Sequence, residues 1–148
     1  MRATIQRVNE ASVKIDGKIV GKINTGLLVL LGVHGDDTEK DVDWMVNKIV
    51  YLRIFSNAQG NFDHSLLDIE GQLLVVSQFT LYGDSKKGRR PNFSAAARPE
   101  LANALYEKFV ERTKAMGIDT QTGQFGASME VSLVNDGPVT LNLNTDKT

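Results

Sequence analysis

The run Leu73-Leu74-Val75-Val76 constrains the fold most strongly. It is too short for a globular helix and contains β-branched residues, so it predicts a buried strand. That strand is expected to span Gln72 to Phe79 and to deliver polar side chains in succession: Ser77, Gln78 and then Thr80. A glycine-containing, strongly basic loop follows, with Lys86, Lys87, Arg89 and Arg90. A rigid strand that feeds polar groups into a cationic loop is a common way to build a site on a scaffold.

The remaining segments fall into place around it. Thr4 to Val8, Ala11 to Ile15 and Lys18 to Ile23 alternate as strands do, and Asp16-Gly17 joins the last two as a two-residue hairpin turn. Leu27 to Val33 is a continuous apolar run that predicts a central strand buried on both faces. A helix is predicted to open at Thr38 or Asp37 as N-cap, with Val42, Met45, Val46 and Ile49 as its apolar stripe. Trp44 lies off that stripe, at an edge or a subunit contact. A second helix starts at Ala97-Arg98-Pro99-Glu100 and stops at Gly117. Ile118–Thr122, Met129–Val134 and Val139–Leu143 read as further strands, and Thr145–Thr148 as a frayed tail. About seven strands with short turns and two helices predict a mainly antiparallel α+β architecture. The length of 148 residues suits one domain covering 1–148.

Several chemistries are disfavoured. A formal net charge of −1 argues against a broad nucleic-acid-binding surface, so a polyanion would have to meet the local patch from Lys86 to Arg90. The absence of cysteine removes disulfides and thiolate metal sites. Gly83 and Gly88 have Walker-like spacing, but Arg89-Arg90 stands where a P-loop needs Lys and Ser or Thr. His34 and His64 read as surface or loop residues, His64 being slightly more open to a site role. Asp36-Asp37 and Asp41/Asp43 read as helix capping and solvated charge, so neither a metal nor a cofactor is expected. No apolar run approaches the roughly 20 residues of a membrane span. Met1-Arg2-Ala3-Thr4 leads into a strand pattern and not into a signal peptide, which makes the cytoplasm the expected location.

The second informative stretch is Asn135-Asp136-Gly137-Pro138-Val139-Thr140. Taken alone it is ordinary hairpin-turn chemistry. Taken with Ser77-Gln78-Phe79-Thr80-Leu81, Gln6-Arg7-Val8, the run Gly26 to Val33 and Gly126-Ala127-Ser128-Met129, it makes nearly the whole chain resemble the D-aminoacyl-tRNA deacylases of the bacterial and eukaryotic type. The resemblance implies strongly bent, partly barrel-like antiparallel sheets flanked by helices, assembled as a symmetric homodimer. It implies that Gly137-Pro138 is a cis bond that enters the partner subunit's pocket, with Arg7 anchoring that loop. It implies an aminoacyl-tRNA substrate, a pocket lined by Phe79, Phe125 and Met129, and acceptor-stem phosphates met by Lys86, Lys87, Arg89 and Arg90.

An ester to a ribose is activated, and the neighbouring hydroxyl can assist, so positioning and oxyanion stabilisation suffice without a strong base. The favoured reading has Ser77, Gln78 and Thr80 shape the site while water attacks. Thr80 as a covalent nucleophile stays open, although a threonine needs an adjacent base that the sequence does not supply. A nucleic-acid-binding module without catalysis is the other alternative. Backbone carbonyls of Gly137-Pro138 would exclude an L side chain whatever its identity and would let glycine pass.

Overall fold

The computed structural model describes residues 1–146, so the last two positions of the tail lie outside the described residues. The strands are β1 (Arg2–Ile15), β2 (Lys18–Ile23), β3 (Gly26–Gly32), β4 (Phe55–Ser56), β5 (Phe62–His64), β6 (Gln72–Ser77), β7 (Thr120–Thr122) and β8 (Glu130–Asn144). The helices are α1 (Glu39–Tyr51) and α2 (Pro99–Ala115). The main sheet runs β2-β1-β3-β6-β7, with β8 added on β1, and β4 and β5 form a separate ribbon.

The sheet is mixed, which refines the mainly antiparallel expectation. β1 pairs antiparallel with β2, β3 and β8, whereas β3–β6 and β6–β7 are parallel. Parallel neighbours need long crossovers. Here α1 lies in the connection from β3 to β6, and α2 in the one from β6 to β7. The sheet curls until β2 meets β7: a Cβ on Gly21 would collide with the Thr122 carbonyl oxygen and stand 3.3 Å from Leu74 Cδ1. The result is nearly a barrel.

Alternate residues of β3 and β6 serve two cores. Leu28, Leu74 and Val76 point inward with Val8, Val13 and Ile23. Leu27, Val29, Leu31, Leu73 and Val75 point outward under the helices, against Met45, Ile49, Leu105 and Phe109. The expected central strand, buried on both faces, is β3.

Thr38 caps α1: its Oγ1 accepts from Lys40 N at 3.3 Å, and Asp41 Oδ2 accepts from Thr38 N at 2.8 Å, a reciprocal capping box. Asp37 is therefore neither the cap nor a solvated charge. It is buried, accepting from the Met1 amine at 2.7 Å and from His34 N at 2.6 Å. A second correction concerns the C-terminal region. The stretch read as two strands around a turn is one strand, β8, paired along β1 with irregularities where Asp136 to Val139 bulges out. The first two alternating runs are likewise one strand, β1. Among the described residues no helix is long and apolar enough to cross a membrane, and no cluster of metal-ligating side chains is present.

Candidate active site

The site grows from the end of β6. Gln78 N donates to Leu31 O at 2.8 Å, and there the chain leaves the sheet. The predicted strand thus ends at Ser77, and Phe79–Tyr82 form a single 3-10 turn. Gly32 is what allows the turn to lie against β3, because a Cβ there would stand 3.0 Å from the Gln78 carbonyl oxygen and 3.2 Å from Leu81 Cβ. Leu81 N and Gly83 N close the turn onto Gln78 O and Thr80 O at 3.3 and 2.9 Å. The N–H groups of Phe79 and Thr80, at its start, have no backbone acceptor among the described residues.

Beside this turn opens a cleft of about 610 Å³. Ser77, Gln78, Phe79, Phe125 and Met129, all named from the sequence, line it. Val33, Phe93, Ala96, Ala97, Ala102 and Val131 also line it, and sequence reading missed these. Only Phe93 carried a signal, as the aromatic residue that closes the basic loop; its ring meets Phe79 edge-on at 5.2 Å. Among the described residues no ionisable side chain lines the cleft. Tyr106, beside Phe125, and Tyr82, at the end of the turn, are not bases either. Burial pushes Tyr106 up to about 12 while its hydroxyl donates to Val75 O at 2.9 Å, and burial raises Tyr82 further still.

Thr80 is exposed on the turn and does not line the cleft. The side-chain contact of its hydroxyl is the Gln78 amide, which donates to it. His34 and His64 do not line the cleft either. His34 Nδ1 accepts from Asp36 N at 3.0 Å, and His64 pairs with Phe55 in the β4–β5 ribbon.

Lys86, Lys87, Arg89 and Arg90 are all exposed and lie outside the cleft lining. Reciprocal 2.8 Å bonds between Asp84 and Asn92 pinch the base of their loop, and Lys86 N donates to Asp84 Oδ1 at 2.9 Å. The four cations therefore project from a fixed root.

Gly137-Pro138 is cis and exposed, and neither residue lines the cleft of its own chain. Arg7, which by itself reads as an exposed strand residue, is only 7 % exposed. Its Nε donates to Asp136 O at 3.1 Å and lies 3.3 Å from Asp136 Oδ2. Its Nη1 donates to Ile54 O at 2.8 Å and to Ser56 Oγ at 3.3 Å, and Phe62 places its ring 5.6 Å from the guanidinium. Asn135 spans the bulge: its Oδ1 accepts from Val139 N and its Nδ2 donates to Thr140 Oγ1, both at 2.9 Å. Gly137 has φ +129, and a Cβ on it would stand 3.1 Å from Arg7 Nη2.

The sequence profile of the family described as D-Tyr-tRNA(Tyr) deacylase matches residues 4–144. The chain belongs to that family. It is 57 % identical over 147 residues to a Thermosipho africanus protein named D-aminoacyl-tRNA deacylase, covering 99 % of both chains. A Clostridioides difficile protein of the same name is 58 % identical over 147 residues, again covering 99 % of each. The solved structure titled c-Myc DNA Unwinding Element Binding Protein superposes with a TM-score of 0.93 at 38 % identity, over 99 % of this chain and 100 % of that one. A structure titled as a probable eukaryotic D-amino acid tRNA deacylase shares the fold with a TM-score of 0.83 at 18 % identity, over 96 % and 98 % of the two chains.

Proposed function

We propose that the protein hydrolyses the ester bond of D-aminoacyl-tRNA in the cytoplasm, as a homodimer that proofreads chirality in translation. The observation that carries this reading is the cleft beside Ser77, Gln78 and Phe79, lined by apolar and neutral side chains among the described residues, in a chain of the deacylase family. Such a cleft suits a reaction whose substrate brings its own activation. Water adds to the ester carbonyl, the carbon–oxygen bond to the ribose breaks, and the ribose oxygen takes up the proton. The neighbouring ribose hydroxyl assists. The N–H groups at the start of the turn, those of Phe79 and Thr80, receive the developing oxyanion. Thr80 acts as part of the turn and not as a nucleophile, because its hydroxyl is engaged by an amide and not by a base.

Selection falls to Gly137-Pro138, delivered by the partner subunit. Its backbone carbonyls accept the amino group of a D-residue and leave no room for an L side chain. Arg7 fixes the presentation of that segment through Asp136. Phe79, Phe125 and Met129 shape the wall, and Lys86, Lys87, Arg89 and Arg90 meet acceptor-stem phosphates. Glycyl-tRNA, lacking a side chain, is also cleaved.

The test is release of amino acid from matched D- and L-aminoacyl-tRNA carrying the same residue, with glycyl-tRNA alongside. Release from the D-ester and the glycyl ester, with the L-ester spared, is the expected result. Release from none of them would sink the reading. The name of the DNA-unwinding-element-binding relative favours a second one, nucleic-acid binding without catalysis through the same basic loop. Salt-dependent binding of uncharged nucleic acid with no ester hydrolysis would select it.

A further inference from the structure

The turn Phe79–Tyr82 has four residues, so its own hydrogen bonds fix little. A side-chain stack seats it. Tyr82, its last residue, is 3 % exposed. The Arg2 guanidinium lies 4.5 Å from the centre of the Tyr82 ring, and the His34 ring stands 5.4 Å away, tilted. Arg2 Nη1 also donates to Leu81 O at 3.1 Å, so a single guanidinium holds both the ring and the backbone of the turn. Below, Gly32 leaves only enough room for the Gln78 carbonyl and the Tyr82 ring.

Two atoms of this stack argue against a purely stabilising role. Arg2 Nε and Tyr82 Oη are buried with no hydrogen-bond partner among the described residues. A buried polar atom without a partner costs stability, and an apolar pair of similar shape would pack without that cost. Beside a 3.5 Å ion pair from Arg2 Nη2 to Asp146 Oδ2, the stack supplies a flat platform and an N–H aimed at Leu81.

We infer that Arg2, using Tyr82 as its platform, is a positioning residue that sets the pitch of the turn and hence the direction of the Phe79 and Thr80 N–H groups. It touches neither substrate nor reacting atoms. The kinetic part of this inference rests on the deacylase reading. Misplacement of a fraction of an ångström at such donors is expensive in rate.

The test compares Arg2→Met, Arg2→Lys and Gly32→Ala with Thr113→Val, a control that breaks the buried 2.9 Å contact between the Thr113 and Thr120 hydroxyls elsewhere in the core. All are assayed at a temperature where each is fully folded. Arg2→Met should lower kcat on D-aminoacyl-tRNA about tenfold with KM within about twofold. Arg2→Lys, which can still donate to Leu81 O, should recover most of that loss. The control should lower Tm and leave kcat alone. In the free protein, the amide NMR shifts of Phe79 and Thr80 should move in Arg2→Met and Gly32→Ala, return toward wild type in Arg2→Lys, and stay put in the control. Unmoved amide shifts in Arg2→Met, or a kcat loss matched by the control, would overturn the inference. If the wild type releases nothing from any ester, the deacylase reading falls, and the amide shifts still decide whether Arg2 positions the turn.

Discussion

The cleft and the Gly137-Pro138 segment are built by opposite means. The cleft is walled by apolar and small side chains, and its polar groups are an amide, a hydroxyl and backbone N–H groups on a turn held by the sheet. The Gly-Pro segment is held by a buried guanidinium, a carboxylate and an asparagine side chain. In one chain the two do not share a cavity. Charge thus lies behind the segment, as scaffolding, and is kept out of the cleft. On the proposed reading, a neutral cleft would contribute position and leave activation to the substrate, whereas the charged anchor would make a glycine-containing bulge stiff enough to act as a template. Stiffness would matter in that role because steric rejection works only if the rejecting backbone cannot yield.

Removing the anchor is the most severe way to break this contrast. Arg7→Met leaves Ile54 O and Asp136 O without their donor and Asp136 without its counter-charge. Loss of charged hydrogen bonds from a buried site should cost about 3 kcal/mol, readable as a lowered urea midpoint. Release of L-residues relative to D-residues should rise at least about tenfold as the template loosens. A variant that is destabilised but still fully selective would mean that Asn135 alone shapes the segment.

A second variant separates both regions from binding. Changing Lys86, Lys87, Arg89 and Arg90 together to Gln should raise KM for charged tRNA and leave kcat and chiral preference intact. If each cation meets one phosphate, the slope of log affinity against log salt should flatten by up to about 3.6. An unchanged slope would exclude this loop as the phosphate contact, and a collapse of kcat would mean that the loop belongs to the cleft after all.

The sequence made some of this legible and hid the rest for physical reasons. The runs in β3 and β6 were plain because a strand buried on both faces must be apolar throughout. The start of α1 was legible to within one residue because Thr38 and Asp41 pair locally, and that of α2 because Pro99 carries its own fixed φ. Asn-Asp-Gly-Pro misled because its local chemistry is that of a turn, while the pairing that keeps β8 continuous comes from β1, far away in the chain. The burial of Arg7 was hidden for the same reason: its Ile54 partner lies 47 positions away. Asp37 looked like a cap because its long-range partner, the Met1 amine, leaves no local trace. In the cleft, Ser77 to Phe79 stood out as a motif, but Ala96, Ala97, Ala102 and Val131 are residues that any core uses. Only the curl of the sheet brings them to one wall.

The smallest expected effect lies at the cap of α1, which belongs to neither region and so tests whether they are insulated from the rest of the fold. Partial burial of Asp41 pushes its carboxyl upward, but the Thr38 backbone N–H and hydroxyl contacts from Thr145 and Thr38 outweigh it, so the group titrates below 3.8 in the folded protein. A carboxylate with a depressed folded value stabilises above its unfolded value, and that contribution disappears as pH falls through the folded one. Asp41→Asn keeps an acceptor for Thr38 N and removes only the charge at the helix N-terminus. It should therefore cost about 0.3–1 kcal/mol near neutral pH. The gap between variant and wild type should close in acid, below 3.8. Urea midpoints measured across that range read the effect directly. Throughout, kcat and the preference for D-esters should stay at wild-type values. A change in either would mean that α1 communicates with the cleft, and the separation of scaffold charge from a neutral reaction site would no longer describe this molecule.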